Sequence, residues 1–569
     1  MLDRILIPRH VRAGIRSNHY GFELESFQLF GGDTETVNGR PYTLQLHDGQ
    51  ETALLWVDVD NVLDVFINYF RKRLQSRVNV VYFHNLSYDL VVLCYKYAEE
   101  FAKHPNRAIL KGPGWQLAIW YGKRWWARLQ IGSRRLLILD SWAFVFCSLE
   151  TIAKQLKLSV PKAVKPDGLG AIPLTSSEFI EYAKRDAVLA YEVGQWIIQQ
   201  HKEYNVRLCV SLPQFAARVL RHDFFRDTEV LSLPSASVCA SAVLSYHGGK
   251  NGCYAKSGWH KNLQEADLTS AYAWAMTEIP QMISGRYAPT RSLRSIYEPG
   301  IYEISGRMRR CKYPILFAHD FSPLDGAFRD VWVTSYELHE ALACKEVSID
   351  RLRGHVWQPE RGYRHNPIAD FNREFFAKKK ASESTDPRRV LYKLLCNSLA
   401  GKFIQHMPSI AEVEVLRENA KTFQVVRGEY IAGGLFHPFL GTLITGYVRA
   451  RMHQLEKEYD SLHTATDSIK TRSAVTETDG LGGLRIIARG DCLILRNKLY
   501  IHFDSEGRVA KVGLHGFHGT PDQLLAMVRN HTSTYRITHL RSLKEALRSH
   551  QAPLEPVTQD LKLHLDTWP

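Results

Sequence analysis

With 569 residues the chain is too long for a single hydrophobic core, and at 45% hydrophobic and 23% charged it is neither disordered nor fibrous. Lys and Arg outnumber Asp and Glu by 73 to 59, a formal net charge of +14 that points to an anionic partner, most often nucleic acid. The nine cysteines are scattered without a C-x-x-C pair, which excludes a zinc ribbon or redox pair of that spacing and fits reduced thiols in a cytosol-like compartment.

The opening MLDRILIPRHVRAGIR interrupts its apolar run with Asp, Arg, Pro and His, so no signal peptide is predicted, and no apolar stretch is long enough to span a bilayer. The expectation is a soluble protein in the cytoplasm of a cell, without repeats and without a membrane partner. Residues 20–205 alternate strand-like and helix-like patterns: ESFQLFGGD, NVVYFHN and RRLLILDSW read as strands. SSEFIEYAKRDAVLAYEVGQWIIQQHKEY reads as a long amphipathic helix with Ser at its start, and together these predict an α/β domain. SLPSAS and YHGGKNG are connections, QEADLTSAYAWAM is a strand running into a helix, and 281–366 is broken into short strand-like runs. Helical periodicity returns over 367–404, where STDPRR turns one helix into the next. LGTLITGYVRARMHQLEKEY is a further helix, HTATDSIK a hairpin and RNKLYIHF a strand. A final helical region begins at TPDQLLAMV.

FQLFGGDTET carries Asp33 and Glu35 one residue apart, on one face of a strand end. FHNLSYDLVVL places Asn85 and Asp89 four apart, and YAKRDAVLAY does the same for Tyr182 and Asp186. If these elements converge, Asp33, Glu35, Asp89 and Asp186 form a carboxylate cluster that requires divalent cations, with all-oxygen ligands selecting Mg2+ or Mn2+. Two such ions activate a water and stabilise the leaving oxygen of a phosphodiester, with Tyr182 placed to orient that water. Each fragment alone also reads as structural. In this order the three resemble the exonuclease motifs of the DEDDy class of 3′–5′ exonucleases.

Downstream, ADLTSAYAWAM places Asp267 at a strand end and Tyr272 five later, and RRVLYKLLCNSLAGKF lines up Arg389, Lys393 and Asn397 on one helical stripe. TATDSIK offers Asp467 in a tight turn. Two strand-end acids and a cationic helix suit phosphoryl transfer to a nucleotide. A helix-dipole partner, a solvated face and a plain turn are the alternative readings. Following an exonuclease, these segments resemble motifs A, B and C of family B DNA polymerases, in the compact protein-primed branch of bacteriophages and linear plasmids.

The resemblance covers almost the whole chain. It implies a multidomain α/β fold: a ribonuclease-H-like exonuclease domain (1–206) followed by a right-hand polymerase. The palm would be 207–280 and 433–505, the fingers 367–404, the thumb 506–569, with insertions at 281–366 and 405–432. It implies that Asp267 and Asp467 bind two metals, that Tyr272 lies under the sugar and excludes a 2′-hydroxyl, and that Lys393 and Arg389 neutralise the triphosphate. Leu268 and Asn397 complete the nucleotide pocket. YHGGK resembles the branch's Y-x-G-G segment (Tyr246, Gly248, Gly249), which touches template, and NKLY its K-x-Y segment (Lys498, Tyr500) near the primer terminus. By the same resemblance Ser141 and Asn85 hold single-stranded DNA, Lys162 assists the exonuclease, and Thr445 and Arg449 contact primer–template. The partners implied are primer–template DNA, single-stranded DNA, deoxynucleoside triphosphates and a terminal priming protein, acting on a monomer.

Three departures stand out. Ala271 and Ala273 replace Leu and Pro of motif A, at packing positions. Ala400 stands where motif B has a Tyr that lies against the nascent base pair, and the expectation is looser base selection or easier lesion bypass. Ala465 replaces the first Asp of motif C, leaving Asp467 as the firmer ligand. The main expectation is a proofreading DNA polymerase; the alternative is an exonuclease whose polymerase half only grips DNA. Protein-primed, nucleic-acid-primed and primer-independent synthesis remain open at this point.

Overall fold

The computed structural model describes residues 5–6, 27–75, 78–102, 107–121, 124–163, 176–383, 386–408, 412–418, 421–427, 430–541 and 556–563. Apart from 5–6, the N-terminal stretch considered for a signal peptide lies outside these. Among the described residues no helix is long and apolar enough to cross a membrane, and all nine cysteines are free thiols.

The first half is built on an eight-stranded sheet. Its order is Thr52–Trp56, Arg40–His47, Phe27–Val37, Val78–Phe83, Arg134–Asp140, Trp126–Ile131, Trp115–Trp120 and Arg107–Gly112. The three central strands, Phe27–Val37, Val78–Phe83 and Arg134–Asp140, are parallel, so their carboxyl ends open on the same edge. Alternation sorts their side chains. Phe30, Val81 and Phe83 face a core with Phe66 and Phe70 of helix Val62–Arg73. Leu29, Val80 and Tyr82 face one with Leu189 and Val193 of helix Ser177–Glu203. That long helix starts where the sequence predicts, Ser176 accepting the N–H of Phe179 as its cap.

Gly31 sets how closely helix and sheet approach. A Cβ there would overlap the Ala187 carbonyl oxygen and the Tyr191 backbone, so a side chain would lift the helix off the strand.

The second half is organised around a seven-stranded antiparallel sheet. Its order is Lys250–Cys253, His463–Thr466, Ser468–Thr471, Gly258–Leu268, Leu484–Arg496, Leu499–Phe503 and Val509–Leu514. Helices Ala271–Glu278 and Pro438–Glu458 pack behind it, with Ala271 and Ala273 both fully buried there. Residues 281–366 are more regular than short runs suggest. Strands Gly285–Thr290, Val347–Pro359, Gly300–Met308 and Gly326–Thr334 form a four-stranded sheet in that order. Helix Ser335–Ala343 covers it, opened by a reciprocal capping box between Thr334 and Glu337. Helices Pro367–Ala381 and Arg388–Ser398 pack side by side after the predicted turn. Glu412–Glu418 and Lys421–Arg427 form a hairpin.

The final helix begins where the sequence predicts. Among the described C-terminal residues helix Pro521–Arg529 is followed by an antiparallel strand pair, Thr534–Leu540 with Pro556–Lys562. Tyr535, Ile537 and the Thr residues of TYRITHL favour extended backbone, and Tyr535 packs with Leu524 and Met527 of the helix.

Replacing Gly31 by Ala is expected to destabilise the first half by about 1–3 kcal/mol, as overpacking against backbone does. Gly401→Ala, with open space around its Cβ, is expected to stay within about 0.5 kcal/mol of the parent. Chemical denaturation of both variants checks the pair, and equal midpoints would show that the helix does not depend on the glycine.

Candidate active sites

The first site lies at the carboxyl edge of the three parallel strands. Asp33 and Glu35 leave strand Phe27–Val37 just before a register shift between Glu35 and Thr36. Asp89 comes from helix Leu86–Leu93 and is 2% exposed, its Oδ1 accepting the Thr34 hydroxyl at 2.7 Å. Asp186 and Tyr182 come from the long helix that Gly31 admits. Lys162 donates to Asp186 Oδ2 at 2.6 Å, and Tyr182 shares a hydrogen bond with Glu35.

The electrostatics follow from four carboxylates facing one ammonium. Burial, and then Asp89, Glu35 and Asp186, hold the Asp33 carboxyl well above the usual carboxylate range, with Lys162 pulling the other way. Asp89 is pushed up to about 8, mainly by burial, with Asp140 and Glu35 adding to it. Burial, followed by Glu35, also raises Tyr182. Asp186 Oδ1 is buried without a hydrogen-bond partner. Clustered acidic oxygens with one left orphaned are the donor set that a hard divalent cation fits.

Asn85 does not share a helical face with Asp89. It is the cap residue, with left-handed backbone (φ 69°), and its N–H donates to Asp140 Oδ1 at 3.0 Å. Asp140, which motif reasoning missed, also accepts the N–H of Trp142 at 3.0 Å, and burial raises it to about 6. Its signal was positional: RRLLILD ends the third parallel strand on the edge where open α/β sheets bind ligands. Ser141 is fully buried. Its Oγ donates to the Phe83 carbonyl at 3.0 Å and lies 2.9 Å from His84 Nδ1, so it ties two strand ends together and offers no free hydroxyl to a DNA strand. The exposed neighbour is Trp142, with the Arg124 guanidinium over its ring and that of Phe146.

The second site is at the centre of the seven-stranded sheet. Asp267 pairs with Ser468 in register, and the Leu268 N–H donates to the Asp467 carbonyl at 2.8 Å, bringing the two acids together. The turn carrying Asp467 is tight enough to hold Thr466 in left-handed backbone (φ 63°). Burial, followed by Asp467, raises Asp267 to about 7. Burial raises Asp467 too, with Lys511 and Lys498 opposing it. Tyr272 is pushed up to about 12 by burial and then by Asp467. Gly249 sits where a Cβ would press on the Thr466 methyl and the Tyr272 hydroxyl, and Tyr246 is half-buried beside them. Ala465 faces Asn251 and Ser468 across its strand neighbours, so no carboxylate enters from that position.

Two residues before Asp267 on the same strand, Glu265 is buried among Lys470, Lys511 (2.6 Å), Ser468 (3.3 Å) and His502 (3.5 Å). Burial works to raise it, but His502 and Lys470 hold it below the usual range. Sequence reasoning missed this network, whose members lie far apart in the chain. Tyr500 is buried with the Lys470 ammonium 3.8 Å above its ring, and the Lys498 N–H donates to His463 Nε2 at 3.1 Å.

Arg449 and Thr445 are both buried. The Arg449 guanidinium is 1% exposed, bonded to Glu337 Oε1 at 2.7 Å and to the carbonyls of His247 and Gly248, so it fixes the Tyr-x-Gly-Gly loop. Thr445 is buried and donates to the Thr442 carbonyl at 3.1 Å. On the paired helices Lys393 and Asn397 are exposed. Arg389 spends Nη1 on the carbonyls of Lys379 (2.9 Å) and Ser382 (2.7 Å). Burial lowers Lys379, as do Lys393, Arg389 and Arg485 nearby, a concentration of positive charge that needs an anion. Ala400 is half-buried in the turn after the second helix.

The profile of the family "DNA polymerase type B, organellar and viral" matches residues 175–469, more than half of the chain. The chain belongs to that family. Among solved structures, the polymerase is similar to phi29 DNA polymerase complexed with single-stranded DNA (TM-score 0.67, 16% identity, 94% of this chain and 100% of that one). It is equally similar to phi29 DNA polymerase complexed with primer–template DNA (TM-score 0.68, 16% identity, 95% and 100%). At such identity the likeness is one of fold, and it covers nearly the whole chain. No curated protein sequence matches the chain.

Asp89 keeps its proton to about 8 in the folded protein but titrates near ~4 when unfolded. The folded state therefore binds more protons between those values, and metal-free stability falls as pH rises through that window. Metal-free Asp89→Asn is expected to show a shallower fall and to exceed the parent in thermal stability at pH 8. Identical slopes would show that Asp89 carries no raised pKa.

Proposed function

We propose that this type B polymerase extends a DNA primer and proofreads it with a 3′–5′ exonuclease, each centre using two Mg2+ or Mn2+ ions. The observation that carries the reading is the backbone bond from Leu268 to Asp467, which makes neighbours of two acids far apart in sequence, beneath Tyr272 and Gly249. Residues 1–206 would be the exonuclease domain. The palm would be 207–280 and 433–505, the fingers 367–404, the thumb 506–569, and the insertions 281–366 and 405–432.

In the exonuclease, Asp33, Glu35, Asp89 and Asp186 would hold the ions, which when bound supply Lewis acidity to a water and to the leaving 3′ oxygen. Tyr182, hydrogen-bonded to Glu35, orients that water, and Lys162 fixes Asp186. In the polymerase, Asp267 and Asp467 would hold the metals. Tyr272 lies under the sugar and disfavours ribose. Lys393, with Lys379 and Arg389 beside it, draws in the triphosphate, while Leu268 and Asn397 shape the pocket. Tyr246, Gly248 and Gly249 face template, Lys498 and Tyr500 the primer terminus, and Asn85 the single strand entering the exonuclease. Arg449 and Ser141 act as positioning residues for those contacts. Primer–template, single-stranded DNA and deoxynucleoside triphosphates are the partners. The two insertions support priming by a terminal protein.

Ala465 favours a second reading, an exonuclease whose palm grips DNA without synthesis. Primer extension by Asp33→Ala separates the two. We expect extension that falls by about 10²–10³-fold when Asp267→Ala is added, the scale of losing one transition-state charge contact. Restoring a carboxylate by Ala465→Asp is expected to raise activity in Mg2+ relative to Mn2+. No extension in either metal, with 3′ degradation by the parent intact, would establish the second reading.

A further inference from the structure

A cluster of unlike metal-ligating groups lies outside both carboxylate sites, where the inserted sheet meets the palm. Helix Ser335–Ala343 of the insertion presents Glu340, and Cys344 stands at its carboxyl end, one turn on. Helix Pro438–Glu458 presents His453, whose side chain is fully buried. Glu340 Oε1 lies 3.0 Å from His453 Nδ1 and accepts the Cys344 thiol at 3.3 Å, and all three donor atoms fall within 4.8 Å of one another. The edges of a zinc tetrahedron with such ligands are about 3.3–3.6 Å.

From these ligands we infer a structural site for a divalent cation of the zinc class, bound by Glu340, Cys344 and His453, that clamps the insertion to the palm helix.

Three further contacts support the site. His453 Nε2 and Glu346 Oε2 face each other at 3.3 Å, both buried. With Nδ1 on a metal, Nε2 must carry the ring proton and aim it at Glu346, the carboxylate–histidine–metal arrangement that orients zinc ligands. Gln454 Nε2 donates to Glu340 Oε2 at 2.9 Å, leaving Oε1 to the ion. Charge also balances. The two carboxylates and a Cys344 thiolate are offset by a dication and by Lys457, which is 3.0 Å from Glu346. Binding would release the thiol proton and any proton in excess on the imidazole. Thiolate and imidazole select zinc-like ions over Mg2+ or Mn2+, so the site would not compete with the catalytic centres. Cys344 is half-buried, which gives the ion a way in and leaves the fourth position to water.

Cobalt titration of the metal-stripped full chain tests this, because the carboxylate sites offer oxygen alone and give no thiolate-to-cobalt band. One equivalent of Co2+ should produce a near-ultraviolet thiolate band and intense tetrahedral visible bands, both abolished by one equivalent of Zn2+ and unaffected by excess Mg2+. Cys344→Ser, a change at a half-exposed position that keeps the fold, should remove the thiolate band and weaken zinc binding by at least about tenfold. Absence of the band in the parent, or its persistence in Cys344→Ser, would overturn the site. Either result is independent of whether the chain extends primers.

Discussion

Carboxylates gathered where water is scarce are the constraint on which both halves of this molecule depend. At the edge of the eight-stranded sheet four acids face Lys162, and at the centre of the seven-stranded sheet two acids share a pocket edged by Lys511 and Lys498. Burial and mutual repulsion raise Asp33, Asp89 and Asp267. Such groups persist in a fold when the surrounding structure fixes them, and on the proposed reading a cation completes them.

The rest of the architecture holds those acids in place. Gly31 lets the long helix descend onto the sheet so that Asp186 reaches Asp33, and Gly249 lets a loop close over Tyr272 and the Asp467 turn. Arg449 secures that loop from beneath with Glu337 of helix Ser335–Ala343, so the four-stranded sheet and its helix help to support the loop beside the second site. The buried Glu265 network works similarly, placing Lys511 beside the acids through an ion pair two residues away from Asp267. Buried ion pairs of this kind add little net stability but specify one arrangement.

Much of this was legible in the residues themselves. The spacings of Asp33 with Glu35 and of Tyr182 with Asp186 reflect the periods of strand and helix, which local sequence encodes, and the turn at Asp467 follows from its short polar interruption. Ser141, Thr445 and Arg449 match DNA-contact motifs in residue type. Their burial depends on neighbours such as Phe83, Thr442 and Glu337 that no local pattern connects to them. The start of the last helix is legible at TPDQLLAMV, but its end at Arg529 and the strand pair beyond it are not, because β-branched and aromatic residues such as those of TYRITHL pair with a strand remote in sequence.

The sequence alone determined the classes of chemistry: acids at strand ends, a cationic helical stripe, an excess of positive charge and the order of the motifs, all properties carried by neighbouring residues. Tertiary structure decided which of those side chains face solvent and which serve as struts, and it brought together Asp140 with Asp89, Glu265 with Lys470, and Glu340 with His453. Such groupings arise from contacts between residues tens to hundreds of positions apart. Only the packing of whole elements settles which charge meets which.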